Sequence, residues 1–202
     1  WAQTWGTDNP TEMRGDIGES VAVDSSDNVY IVGSFYTTVD FDPGPGTEER
    51  TSNGNMDCFC SKFNSSGTFQ WVNTWGGEQE DNAYSVDIDS SNVYVIGRYW
   101  GTVDFDPGTG TEEHSAQAEW DIFLSSFANT GGFNWVNVYG AEPWIHSQDM
   151  GRGVHVSDDG YIFATGSFFR EVDFDPGPMV DPHMPLGSAD IFLTKMDSNG
   201  LW

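Results

Sequence analysis

The chain has 202 residues, enough for one domain with its own core or for an array of smaller units. Its 32 acidic against 7 basic residues give a formal net charge of −25, which repels nucleic acid and anionic membrane surfaces. Aromatic residues at 15% and 24 glycines exclude a disordered chain, and no apolar run approaches the roughly 20 residues of a membrane-spanning helix.

The segments with strand character repeat along the chain. Trp1-Ala-Gln-Thr-Trp5 comes first, and because the chain opens on Trp1 rather than Met, an upstream segment is expected. Ser20–Asp24, Val29–Phe41, Cys58–Phe63 and Trp71–Trp75 follow, separated by turns of Asp, Ser, Asn and Gly. The same four return as Ser85–Asp89, Val93–Phe105, Ile122–Phe127 and Trp135–Tyr139. Three return again as Gly153–Ser157, Tyr161–Phe174 and Ile191–Met196, before the chain reaches Trp202. Short runs of Val, Ile and aromatics bounded by such turns are hairpins. No segment keeps a 3.6-residue period, so helix content is expected to be negligible.

Offsets within the repeat are constant. Val-Asp-Phe-Asp-Pro-Gly occurs at 39–44, 103–108 and 172–177. Seven residues before its first Asp stands Gly33, Gly97 or Gly166, and seventeen after it stands Asp57, Asp121 or Asp190. A turn glycine and a tryptophan close each unit: Gly67 and Trp71, Gly131 and Trp135, Gly200 and Trp202. The tryptophan spacing is 70, 64 and 67 residues. Four antiparallel strands in a unit of this size predict all-β architecture: three β-propeller blades in one array, at approximately 1–70, 71–134 and 135–202. Closed propellers have about 4–8 blades, so a piece of a larger propeller is expected; two copies in a six-bladed ring and an open filament are the alternatives.

Gly77–Gly97 carries Gly-x-x-x-Asp-x-Ala and then Asn-Val-Tyr-x-x-Gly. Together with Ser20–Gly33, Asp57–Lys62 and Asp190–Trp202 it resembles the bacterial β-propeller repeat called SBBP. The resemblance covers essentially the whole chain. It implies a propeller in a large exported or surface protein, and brings no catalytic residues with it. In the third unit, Ser157 replaces the Asp of the first turn, and Gly160-Tyr161-Ile162 is read in place of Asn-Val-Tyr.

With strands in sequential order, the two–three and four–one loops share one face. Twelve acids fall in the former and nine in the latter, 21 of the 32, against Arg14 and Arg50 alone. Asp40 and Asp42, Asp104 and Asp106, and Asp173 and Asp175 stand i and i+2 on one strand face before a Pro-Gly bend. That chemistry suits Ca²⁺, a hard cation that takes carboxylate and carbonyl oxygens. Capping of the turn by the same carboxylates is the competing expectation. Asp57, Asp121 and Asp190 read as turn anchors.

Cys58 and Cys60 align with Ile122 and Leu124, so they are expected to be buried free thiols. Most tryptophans fall on repeated positions and are expected to pack between units. Trp120 and Trp144 lie outside the pattern, beside acidic loops, and are the candidates for stacking on a glycan. His114, His146, His155 and His183 show no shared spacing, and only His146 with Asp149 forms a notable pair. The expected function is a non-enzymatic structural or interaction module, extracellular or at the cell surface. Its expected partners are Ca²⁺, other blades or copies of itself, or a basic protein, with a lectin-like propeller as the alternative and neither nucleic-acid binding nor membrane insertion.

Overall fold

The computed structural model describes residues 1–7, 15–117, 119–140 and 148–202, and every regular element among them is a β-strand. β1 (Ile17–Val23), β2 (Val29–Asp40), β3 (Glu49–Phe63) and β4 (Phe69–Trp75) form an antiparallel sheet in chain order. The second unit runs β5 (Asn82–Ile88), β6 (Asn92–Tyr99), β7 (Thr102–Asp104), β8 (Glu113–Ser115), β9 (Asp121–Ala128) and β10 (Phe133–Tyr139). Its sheet is β5-β6-β9-β10, and β7-β8 is a separate hairpin. The third unit runs β11 (Met150–Val156), β12 (Ile162–Phe168), β13 (Val172–Asp173), β14 (Pro182–His183) and β15 (Asp190–Met196), with β11-β12-β15 as sheet and β13-β14 as hairpin. The strand that begins near each tryptophan closes its own sheet, because β4 pairs with β3 and β10 with β9. Divisions drawn at the tryptophans therefore cut through the sheets, which span 17–75, 82–139 and 150–196.

The three sheets share one register. Gly33 pairs with Gly18, Gly97 with Ala83 and Gly166 with Gly151, and a one-residue bulge follows on the first strand each time. This register corrects the reading of the third unit: Tyr161-Ile162-Phe163, not Gly160-Tyr161-Ile162, takes the place of Asn28-Val29-Tyr30. The change is chemically paired. Tyr30 and Tyr94 donate their hydroxyls to Asp24 and Asp89 at 3.2 and 2.8 Å. Phe163 has no hydroxyl, and there Ser157 caps the turn instead, accepting from Tyr161 N–H at 3.1 Å.

The hydrophobic core lies between sheets. Tyr30, Val32, Cys58 and Cys60 of the first sheet bury against Ala83, Val86, Val93, Val95 and Phe127 of the second. Tyr94, Ile96, Ile122 and Leu124 bury in the same way against Val154, Ile162 and Ala164 of the third. The first strands of successive units also contact one another, β1 with β5 and β5 with β11. Each unit thus contributes two half-cores and depends on its neighbours for stability.

A polar latch repeats at each junction. Trp71 Nε1 donates to Asn129 O at 3.2 Å and Asn73 Nδ2 to Gly131 O at 2.7 Å. Trp135 donates to Ser198 O at 3.1 Å and Asn137 to Gly200 O at 2.8 Å. Trp1 and Gln3 make the corresponding bonds to Ser65 O and Gly67 O, both at 3.1 Å. The receiving turns need positive φ at Gly67, Gly131 and Gly200 (79°, 97° and 76°), which favours glycine. Asn73→Ala removes one latch bond, so a loss of about 1 kcal/mol is expected in urea unfolding.

Candidate functional site

The motif Val-Asp-Phe-Asp-Pro-Gly forms the tip of a hairpin at one end of every unit. Its phenylalanine, Phe41, Phe105 or Phe174, turns inward and is buried, which holds the flanking aspartates at the surface of the tip. The first aspartate closes the hairpin. Asp40 Oδ1 accepts from Asp42 N–H at 3.0 Å and Glu48 N–H at 2.8 Å. Asp104 Oδ1 accepts from Asp106 and Glu112 N–H at 3.1 and 2.8 Å, and Asp173 Oδ1 from Asp175 and Asp181 N–H at 3.0 and 2.8 Å. The second aspartate, Asp42, Asp106 or Asp175, accepts from Gly44, Gly108 or Gly177 N–H at 2.7–2.8 Å. All six carboxylates thus compensate backbone donors that the tight turn leaves without a strand partner. Among the described residues no group of three His, Cys, Asp or Glu side chains is placed to hold a metal ion. Asp104→Ala leaves two backbone N–H donors of one tip, those of Asp106 and Glu112, without their acceptor. The expected cost is about 1–2 kcal/mol, read as a lower melting temperature, with Asp104→Asn losing less.

A pairing of a basic side chain with an acidic one recurs on each hairpin, and the sequence reading passed it over. Arg50, His114 and His183 each stand opposite the hairpin valine, Val39, Val103 or Val172. Each reaches the acid two residues before it: Arg50 meets Glu48, His114 meets Glu112 at 2.9 Å, and His183 meets Asp181 at 3.1 Å. Two of the histidines are therefore repeat-equivalent after all. The signal was present as a constant ten-residue offset from the first aspartate of the motif, hidden because the copy in the first unit is an arginine. His155 belongs elsewhere: its Nδ1 lies 2.8 Å from Asp87 Oδ2, between the first strands of two units. His146, Trp144, Glu142, Asp8, Glu12 and Arg14 lie outside the described residues.

Behind the hairpins, a second set of aspartates binds the four–one loops to the body. Asp81 accepts from Gly77 N–H at 2.7 Å and Trp100 N–H at 3.0 Å. Asp16 accepts from Thr7 and Tyr36 N–H at 2.7 and 3.0 Å, and Asp149 from Phe169 N–H at 2.8 Å. Asp121 and Asp190 open β9 and β15, Asp57 stands at the same register within the longer β3, and each accepts the N–H of the residue four before it, at 2.7, 2.9 and 3.0 Å respectively. Burial raises the Asp57 carboxyl to about 7, with the Asn53 N–H only partly offsetting it. Burial likewise raises Asp81 to about 7, against the pull of Gly77 and Trp100 N–H and with the help of the Asp57 charge.

The two loop sets do share one end. Asp81 N–H donates to Met56 O at 2.7 Å, and a side chain on Gly54 would strike the backbone of Glu78. Many of the acids assigned to that face are nevertheless structural acceptors. Those left exposed include Glu49, Glu78, Glu113 and Glu171. Arg170, between β12 and β13, adds a cation that the count of Arg14 and Arg50 omitted. Trp120 has 8% exposure, lies 5.5 Å from Trp100, and is covered by the Arg98 guanidinium 3.7 Å from its ring centre. It offers no stacking surface for a glycan. Cys58 and Cys60 are free and buried, and burial pushes both thiols well above their usual range.

No family model matches the chain. A WD repeat-containing protein of Acanthamoeba polyphaga mimivirus, itself uncharacterised, is 29% identical over 171 residues. The match takes in 76% of this chain and only 12% of that far longer relative, so what this chain is similar to is one stretch of a WD repeat-containing protein.

Proposed function

We propose that the chain is three blades of a β-propeller acting as a non-enzymatic interaction module in an exported or surface-displayed protein. Two stacked four-stranded sheets followed by a three-stranded one, and the similarity to a WD repeat-containing protein, support this reading, since WD repeats build propeller blades of four strands. The observation that carries it is the hairpin end, where Glu49, Glu78, Glu113 and Glu171 project from different units while Asp carboxylates cap the tips beneath them. A surface on which acids outnumber the Arg50 and Arg170 cations, held on rigid hairpins, steers and selects partners of the opposite sign. The partner class is a basic protein segment.

The test is titration of a lysine-rich peptide at low and at high salt. Binding that weakens steeply with salt, and further in a Glu49→Gln, Glu113→Gln double variant, is the expected result. Salt-independent binding or none rejects the acidic end as the docking surface.

Ca²⁺ at the Asp-Phe-Asp tips is a narrower form of the same proposal. Each of these carboxylates commits Oδ1 to backbone N–H groups, which leaves the second oxygen of each for a cation. Melting in millimolar Ca²⁺ against EDTA, with bound metal counted in the same sample, decides it. A higher melting temperature with about one ion per hairpin supports it, and no shift with no metal leaves the tips as caps.

A further inference from the structure

Three departures from the repeat meet in one cleft of the acidic end. It lies between the β7–β8 and β13–β14 hairpins, has a volume of about 560 Å³, and includes Tyr99 at the end of β6 and Asp121 at the start of β9. Cavities that hold ligands range over about 300–1,000 Å³. Tyr99 pairs with Asp121 as Phe35 pairs with Asp57 and Phe168 with Asp190, so the other units place a phenylalanine where this one carries a phenol. Pro182 pairs with Asp173, where Glu49 pairs with Asp40 and Glu113 with Asp104. Val180, two residues earlier, takes the place of Thr47 and Thr111. The other units fold without these three side chains, so packing alone does not call for them.

The Tyr99 hydroxyl points to a ligand. Tyr99 is 1% exposed, and among the described residues its Oη has no hydrogen-bond partner. A buried hydroxyl in that state is a net cost to folding, which a phenylalanine at the same position avoids. Burial first, then the Asp121 charge, pushes the phenol up, so it stays protonated beside the carboxylates.

The lining is part acidic and part apolar. Glu171 is exposed there, while Asp173 and Asp175 commit Oδ1 to backbone N–H groups and keep Oδ2. Val138, Val180 and Pro182 supply hydrocarbon. Among the described residues no three carboxylates converge as a metal ion requires, so the charge suits an extended organic cation. A guanidinium on its aliphatic stem matches both parts. It is weakly hydrated, donates in a planar fork, and lays its methylenes on apolar surface.

We propose that this cleft takes an arginine side chain of a basic protein segment, its guanidinium donating to Tyr99 Oη and to Glu171, Asp173 and Asp175 while its stem packs on Val180 and Pro182. The proposal rests on the reading of the acidic end as a docking surface and names the anchor of the partner.

Calorimetric titration of the full chain with acetyl-Leu-Arg-Leu-amide, and with its lysine and citrulline counterparts, tests it. The arginine peptide is expected to bind about 10-fold or more tighter than either counterpart. Tyr99→Phe copies the first and third units, so it is expected to keep the β-sheet circular dichroism and the melting temperature. It is expected to weaken the arginine peptide about 10-fold, and Glu171→Gln about 3-fold. Glu49→Gln, outside the cleft, is expected to leave that affinity unchanged. A lysine or citrulline peptide that binds as tightly overturns the cleft, as does arginine binding that Tyr99→Phe and Glu171→Gln leave unaltered. The acidic surface is judged separately: salt-dependent binding of the lysine-rich peptide to Tyr99→Phe keeps that reading even where the cleft fails.

Discussion

Lowering the pH from 8 to 5 raises the melting temperature of this chain. Asp57 and Asp81 are buried, and each has its carboxyl raised from 3.8 to about 7 in the folded state. In the unfolded chain the same groups ionise near the ordinary aspartate value of about 3.9. Between those limits the folded state holds more protons than the unfolded state, so stability falls as pH rises. The stabilising contribution is complete below about pH 4 and lost by the time pH passes about 7. In isolation each group is worth on the order of 3–4 kcal/mol, and less when two neighbours titrate together. Against a total stability of about 5–15 kcal/mol that is a large share.

The general repulsion among 32 acids acts in the same direction. On the acid side the trend reverses. Burial tends to raise Asp89, but the N–H groups of Ser91 and Asn92 and the Tyr94 hydroxyl outweigh it and hold its pKa below 3.8. Asp197, held by the N–H groups of Leu201 and Asn199, is also below 3.8. Protonating such caps removes stability below that value, so the optimum falls in mildly acid solution. Asp57→Asn keeps an acceptor for Asn53 N–H and cannot ionise. It is expected to flatten the decline between pH 5 and 8 by roughly half, as one of two titrating groups is removed. An unchanged slope in a melting series refutes the assignment.

Gly97→Ala is expected to be the most damaging single methyl in the chain. A Cβ at this position would stand 1.9 Å from Asn82 O and 2.7 Å from the Phe123 ring. Neither contact relaxes cheaply, because the carbonyl belongs to the paired strand β5 and Phe123 lies in the core between two sheets. The predicted loss is about 3–5 kcal/mol in urea unfolding, in the range of severe overpacking. Gly33→Ala meets Ile17 O at 1.8 Å and serves as the end-unit comparison. Its smaller predicted effect follows from the open face beside β1. Equal losses at the two sites would show that the strand contact alone sets the cost.

The repeat made most of this fold legible. Turn chemistry and strand alternation act over a few residues, so the hairpins, the turn glycines and the capping aspartates could be placed from spacing alone. The glycine before each motif was found as an offset, but its reason, a carbonyl and a ring on either side, lies in residues distant along the chain. The third unit was misread by one residue because its turn lacks the Asp and Tyr landmarks, and strand pairing set the register instead.

The acids divide along the same line. Composition showed their excess and their bias to one end. It did not separate Asp81, buried and held by Trp100 N–H with a raised pKa, from Glu78, exposed on the same loop. Trp120 looked unique in sequence and became a covered core residue once Arg98 and Trp100 folded over it. The chain by itself therefore determined the units and their local caps, because hydrogen bonds to nearby N–H groups are written in neighbouring residues. The stacking of sheet on sheet decided which carboxylates lose water, which aromatics are covered and which faces stay open, because burial depends on what lies across the junction.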